Sequence, residues 1–320
     1  MRSAIGPLVQ VDVDLYAAVE IVNQPTGPGS EDGKPMDVNL RPAVAADAQE
    51  CGRICHDAFA SIATRHGFTS DFPSVEVAVS IVSGLIAHPK FYSVVAELNG
   101  RIVGSNFLDE RSTIVGVGPI TVDPEVQDRQ VGRALMSAIL ERSQERRVPG
   151  VRLLQVAYHN RSLSLYAKLG FDIREAFAAM YGDRLGLEIP GCSVRAATVD
   201  DIDACDAICV RVHGHDRDGE LRDAISQASA RVVERSGRIA GYTTAIAFGG
   251  HSVAETNDDL QALIGSAEGF GTPGFLVPLR NTELLRWCLA HDLRVFYVMN
   301  MMTIGLYQEP RGAYLVSVLF

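Results

Sequence analysis

The stretch "VDPEVQDRQVGRALM" (122 to 136) holds residue types at a spacing that could grip a phosphate. A strand over Ile120, Thr121 and Val122 turns at Asp123-Pro124, and "QDRQVG" (127 to 132) runs into a helix starting near Gly132. Main-chain amides at a helix N-terminus have no intrahelical acceptor, and the helix dipole adds positive potential there, so the two together attract an anion. Gly132 lets a diphosphate approach the main chain closely. Arg129 and Arg133 add charge at the rim. Gln130 stands where such a loop usually has glycine. A phosphate needs an amide there and no side chain, so Gln130 serves if its φ is negative, at the cost of clearance. Alone, a strand, a turn with one glycine and a helix are a weak signal.

Few other residues have the spacing for independent chemistry. The six cysteines form no CxxC pair and no cluster with histidines, which predicts reduced core thiols and no metal site. His213 and His215, in "VHGHD", have no metal-like partners and read as surface residues. A net charge of -10 argues against a nucleic-acid partner, whose phosphates demand a basic face, and is compatible with a cationic substrate. No apolar run is long enough to span a membrane, and the first twenty residues match neither a secretory nor a transit peptide. A cytoplasmic location is expected.

Residues 1–37 read as an extension that ends in a linker, "NQPTGPGSEDGKPM" (23 to 36). Beyond it lies an internal repeat. Arg41, Ala43, Asp47, Cys51, Ile54 and Cys55 recur as Arg195, Ala197, Asp201, Cys205, Ile208 and Cys209. "VAELNGRIVG" (95 to 104) recurs as "VVERSGRIAG" (232 to 241). Two copies of one fold follow, over 38–190 and 191–320. Each copy opens with a short strand, and its Asp belongs at a helix start. The cysteines, four apart, share one helical face and pack in the core. Asn99-Gly100 and Ser236-Gly237 predict two-residue hairpin turns. The β-α-β-β order is that of an α/β fold with a mixed central sheet. The first copy continues as strand, loop and helix; the second lacks that loop and helix, and ends with a helix "NTELLRWCLAHDL" and a strand "RVFYVMNMMTIG".

With its neighbours, the loop resembles the acetyl-coenzyme A signature of the GNAT superfamily of N-acetyltransferases, Q/R-x-x-G-x-G/A. Gln127, Val131 and Gly132 fit, and Gln130 departs from the first glycine. "NRSLSLYAKLGF" (160 to 171) is similar to the family's second signature through Tyr166, Gly170 and Phe171, although Asn160 lies one residue closer to the tyrosine than usual. The resemblance covers 38 to about 185 and makes 191–320 a degenerate GNAT-like copy. It implies acetyl-coenzyme A as co-substrate and no metal. Its diphosphate would rest on Gln127, Asp128, Arg129, Gln130, Val131, Gly132, Arg133 and Ala134. Its pantetheine arm would pair with Ile120, Thr121 and Val122, with Asn160 as a further contact. Tyr166 would be the general acid for the departing thiolate, a task that suits a phenol neutral at pH 7.

The base is open. Asp109 and Glu110 are the nearest carboxylates, and His159 is another candidate. The acceptor would be the amine of a small molecule or of a protein, served by one active site in the first copy. A non-catalytic acyl-coenzyme A sensor is the rival, and a third possibility has the second copy lying as a lid over the first. A homodimer is admitted as a partner state.

Overall fold

The computed structural model describes residues 38–126 and 130–319. The first half runs β1 (Asn39–Pro42), α1 (Ala48–Arg65), α2 (Val75–Ala87), β2 (Phe91–Leu98), β3 (Arg101–Asp109), β4 (Val115–Val117), β5 (Thr121–Val122), α3 (Val131–Glu145), β6 (Gly150–Val156), α4 (Asn160–Lys168) and β7 (Asp172–Tyr181). The second runs β8 (Cys192–Ala196), α5 (Ile202–His213), α6 (Asp218–Ser226), β9 (Arg231–Arg235), β10 (Arg238–Thr243), β11 (Ser252–Ala254), α7 (Asn257–Ser266), β12 (Phe275–Pro278), α8 (Thr282–Ala290), β13 (Arg294–Gly305) and β14 (Ala313–Leu315). The expected extension and linker lie outside the described residues.

The repeat has a physical basis. Arg41 bonds both oxygens of Asp47 at 2.6 and 3.0 Å and reaches Glu97 at 2.8 Å. Arg195 does the same with Asp201, at 2.7 and 2.8 Å, and with Glu234 at 2.7 Å. Each Asp also accepts a main-chain amide, from Val44 or Thr198, and so closes the turn into its helix. The recurring residues therefore tie the first strand of each copy to its first helix and hairpin. Cys51, Cys55, Cys205 and Cys209 are buried and unpaired. Asn99, Gly100, Ser236 and Gly237 all have positive φ, as a two-residue hairpin turn of this kind requires.

In strand β2, Val94 and Ala96 pack toward α3 while Val95 meets α1 and α2, so the sheet lies between helical layers. The sheets do not respect the repeat. The larger has the order β1-β2-β3-β4-β6-β13-β7-β12, with β5 on β3. Strand β13, drawn from the second copy, is antiparallel to both β6 and β7, with Met299 opposite Val156 and Phe177. Strand β12 extends the same sheet beyond β7. The apolar run Phe177-Ala178-Ala179-Met180 is buried on both faces, one against α5 and the other against α7 and α8. The smaller sheet is β14-β11-β10-β9-β8.

Candidate active site

The sheet opens at a defined place. Strands β4 and β6 are parallel neighbours at Val115–Val151 and Gly116–Arg152. Gly118 and Pro119 then break the expected strand into two, and β5 pairs only with β3, at Gly104–Val122 and Ser105–Thr121. The Asp123 amide bonds the Val103 carbonyl at 2.9 Å, on the β3 side. Strand alternation then turns the Val122 amide the other way, toward β6. Among the described residues β5 forms no ladder with β6, so the edge of β5 that faces away from β3 offers main chain without a strand partner.

Helix α3 begins beside this edge. Its first internal bond runs from the Ala134 amide to the Gln130 carbonyl at 3.0 Å, so the amides of Val131, Gly132 and Arg133 have no acceptor within the helix. Among the described residues no side chain caps this end. Gln127, Asp128 and Arg129 lie outside the described residues. Gln130 corrects the condition set by its sequence: its φ is +63°, in the left-handed region, because the turn into α3 demands that conformation of whatever residue stands there. A side chain pays about 1 kcal/mol or more for it. Glycine at 132 is not required by the protein. An added Cβ would sit 3.6 Å from Leu165 and 3.7 Å from Val122, which is ordinary contact, and alanine would favour the helix by about 1 kcal/mol.

That same measurement brings three elements together. Val122 of β5, Gly132 of the helix start and Leu165, next to Tyr166 on α4, meet at one point. Tyr166 is buried in the core with Val131 and Leu135, its ring edge-on to Phe171, and its hydroxyl has no hydrogen-bond partner among the described residues. Burial raises its pKa and keeps the phenol protonated. Asn160 opens α4 and is exposed.

The carboxylates read from sequence are occupied. Glu110 is held by Arg142 at 2.9 Å and by Arg146. Asp109 is gripped by Arg111 through both oxygens, at 2.6 and 2.9 Å, and burial raises its pKa. The His159 imidazole is pushed down to about 4 by burial and by Arg161, so it is neutral but weakly basic. His213 is a correction: it is buried in the last turn of α5 against Tyr314, with neither ring nitrogen hydrogen-bonded among the described residues. His215 is half-buried and accompanies it.

A group that the sequence did not single out sits at the end of β6. Asp71, in the loop after α1, accepts a hydrogen bond from the Tyr297 hydroxyl of β13 at 2.7 Å. Phe68 stacks on Tyr158 at 4.6 Å, and Tyr297 stands edge-on to both. A lone Asp in a loop has no pattern to find it by, and its partner is far away in the chain.

The second copy is also corrected. It does have the helix expected to be missing, α7, after strand β11; what is gone is the loop, reduced to Glu255 and Thr256. Strand β14 pairs with β11, Val253 opposite Tyr314, and Val316 bridges to Leu276 of β12. The chain's own strand fills the gap that the first copy leaves open.

Residues 89–173 match the family model described as an acetyltransferase (GNAT) domain. That segment is similar to GNAT acetyltransferase domains. A search of curated proteins finds no match. Among solved structures, a putative acetyltransferase from Pyrococcus horikoshii is 18% identical, covers 89% of this chain and 95% of its own, and superposes with a TM-score of 0.69. A GCN5-related N-acetyltransferase from Sphaerobacter thermophilus gives 15% identity, 87% and 98% coverage and a TM-score of 0.58. A tandem GNAT protein from the clavulanic acid biosynthesis pathway gives 17%, 84% and 98%, and 0.53. At these identities the likeness establishes the GNAT acetyltransferase fold along most of the chain. GNAT domains are acyltransferase scaffolds, and the chain is similar to such enzymes in architecture. Among the described residues no cluster suits a metal ion, and no helix is long and apolar enough to cross a membrane.

Proposed function

We propose that this chain is an acetyl-coenzyme A-dependent N-acyltransferase with one active site, in residues 38–190, acting on the amine of a small molecule. The observation that carries this is the meeting of Val122, Gly132 and Leu165 at one glycine whose extra room the fold itself does not use. Acetyl-coenzyme A supplies the activated acyl group as a thioester. The uncapped amides of Val131, Gly132 and Arg133 suit its diphosphate. The Val122 amide, on the unpartnered edge of β5, is placed to donate to the thioester oxygen as charge develops there. Tyr166, neutral and with its hydroxyl unclaimed among the described residues, is suited to protonate the departing sulfur.

A purely regulatory acyl-coenzyme A-binding role draws support from Asp109 and Glu110, since both are locked in ion pairs. Calorimetric binding of coenzyme A, run beside thiol release from acetyl-coenzyme A with a panel of amines, separates the two. Binding with turnover supports the enzyme; binding without turnover across the panel supports the sensor; no binding removes both.

A further inference from the structure

An amine acceptor arrives as an ammonium and must shed protons before its nitrogen can attack, so the site needs a carboxylate that is not already neutralised. Asp71 is such a group. Its contact is the Tyr297 hydroxyl at 2.7 Å, and among the described residues no Arg, Lys or His pairs with it. It lies beyond the end of β6, beside Tyr158 and Tyr297. Tyr158 follows β6 by two residues, and α1 packs against β5 before running into the loop that carries Phe68 and Asp71. Three rings cluster beside Asp71: Phe68 and Tyr158 stacked at 4.6 Å, with Tyr297, whose hydroxyl bonds the carboxylate, edge-on at 6.0 and 5.9 Å. Aromatic faces attract a cation and tolerate an apolar body. One of those walls, Tyr297, belongs to β13, so the enclosure is incomplete without the second copy.

Resting on the acyltransfer function proposed above, we propose that Asp71 receives the ammonium of an apolar or aromatic primary amine and takes its proton, with Phe68, Tyr158 and Tyr297 as the enclosure. The carboxylate accepts one proton from the ammonium, and the freed lone pair forms the C–N bond as the C–S bond breaks. Tyr166 protonates the sulfur and is restored by the second proton the nitrogen sheds. The proton on Asp71 passes to solvent. Burial pushes Asp71 up to about 6, so it is ionised at neutral pH yet a far better proton acceptor than an exposed Asp. The groups facing it hold their protons there: Tyr297 and the Cys55 thiol are pushed up by burial, and Tyr158 rises to about 12. His66 lies across the Tyr158 ring, at 5.1 Å. Activity should therefore rise with pH through about 6, as Asp71 loses its proton.

The test is thiol release from acetyl-coenzyme A with benzylamine and tyramine, across pH 5 to 9, by the full chain. Asp71→Asn should lower kcat/KM at least about 100-fold and abolish the inflection near pH 6, with coenzyme A affinity and melting temperature nearly unchanged. Tyr297→Phe should move the inflection to higher pH, because that hydrogen bond holds the carboxyl down. Wild-type rates in Asp71→Asn, or an unmoved inflection in Tyr297→Phe, overturn the assignment. Wild-type protein that binds coenzyme A but acetylates neither amine overturns the acceptor class. Wild-type protein that does not bind coenzyme A sinks the proposed function itself, a distinguishable failure.

Discussion

Helices α3 and α7 follow equivalent strands of the repeat, and their first turns have opposite chemistry. Among the described residues the start of α3 has no capping side chain and no acidic residue in its first turn, and Arg133 lies in that turn. The start of α7 is closed on itself: Thr256 and Asp259 cap one another, and Asp258 adds a second acid. Asp259 is fully buried and paired with Arg235 at 2.8 Å. A phosphate approaching α7 would find the Thr256 and Asp259 amides taken and the carboxylates of Asp258 and Asp259 nearby. Beside α7, β11 has β14 as a second partner strand, whereas beside α3, β5 pairs with β3 alone among the described residues. On the proposed function, one shape serves as a receptor in one copy and as packing in the other. A few side chains and one strand make the difference.

The comparison breaks most sharply at Gly132. Gly132→Glu puts bulk and negative charge among the free amides, where the protein leaves room for a Cβ. Coenzyme A affinity should fall more than about 100-fold with the melting curve unshifted, the bulk of a phosphate site's charge-assisted bonding being lost. Retained affinity by calorimetry would locate the cofactor elsewhere. Next in size, Tyr166→Phe should lower kcat about 100-fold and leave coenzyme A affinity within twofold, as expected of a group that acts on the leaving sulfur alone. Equal turnover would leave the tyrosine a core residue.

Smaller effects sharpen the contrast. Thr256→Ala should cost about 1 kcal/mol of stability, read from the denaturant midpoint, with acetyl transfer unchanged; it removes a cap that matters only for packing. Gln130→Gly should stabilise by less than about 1 kcal/mol. Relief of the left-handed strain is partly offset by the greater freedom of glycine in the unfolded chain. A loss of stability there would mean that the Gln130 side chain does more than tolerate its turn.

Much of the local structure is legible in the residues. Asn99-Gly100 and Ser236-Gly237 specify their turns because few other pairs accept positive φ, and the Cys51–Cys55 spacing specifies a buried helical face. The bounds of β13 also follow from its apolar run, but its place does not. Nothing in "RVFYVMNMMTIG" says that its neighbours are β6 and β7 rather than strands of its own copy, since both choices bury the same face. His213 looked exposed for a related reason: its loop is polar, yet the partner that buries it, Tyr314, arrives from the far end of the chain. Asp71 was invisible until Tyr297 stood beside it. Local chemistry is written in neighbours along the chain, whereas the acceptor enclosure consists of neighbours in space.

The interleaving of β13 between β6 and β7 reaches into biosynthesis. On the ribosome, Tyr181 emerges about 110 residues before Arg294. At 5–20 residues per second that is a wait of roughly 6–20 s during which two strand edges have no partner. Until β13 has been made, the first half therefore presents the edges of β6 and β7 that β13 will later join.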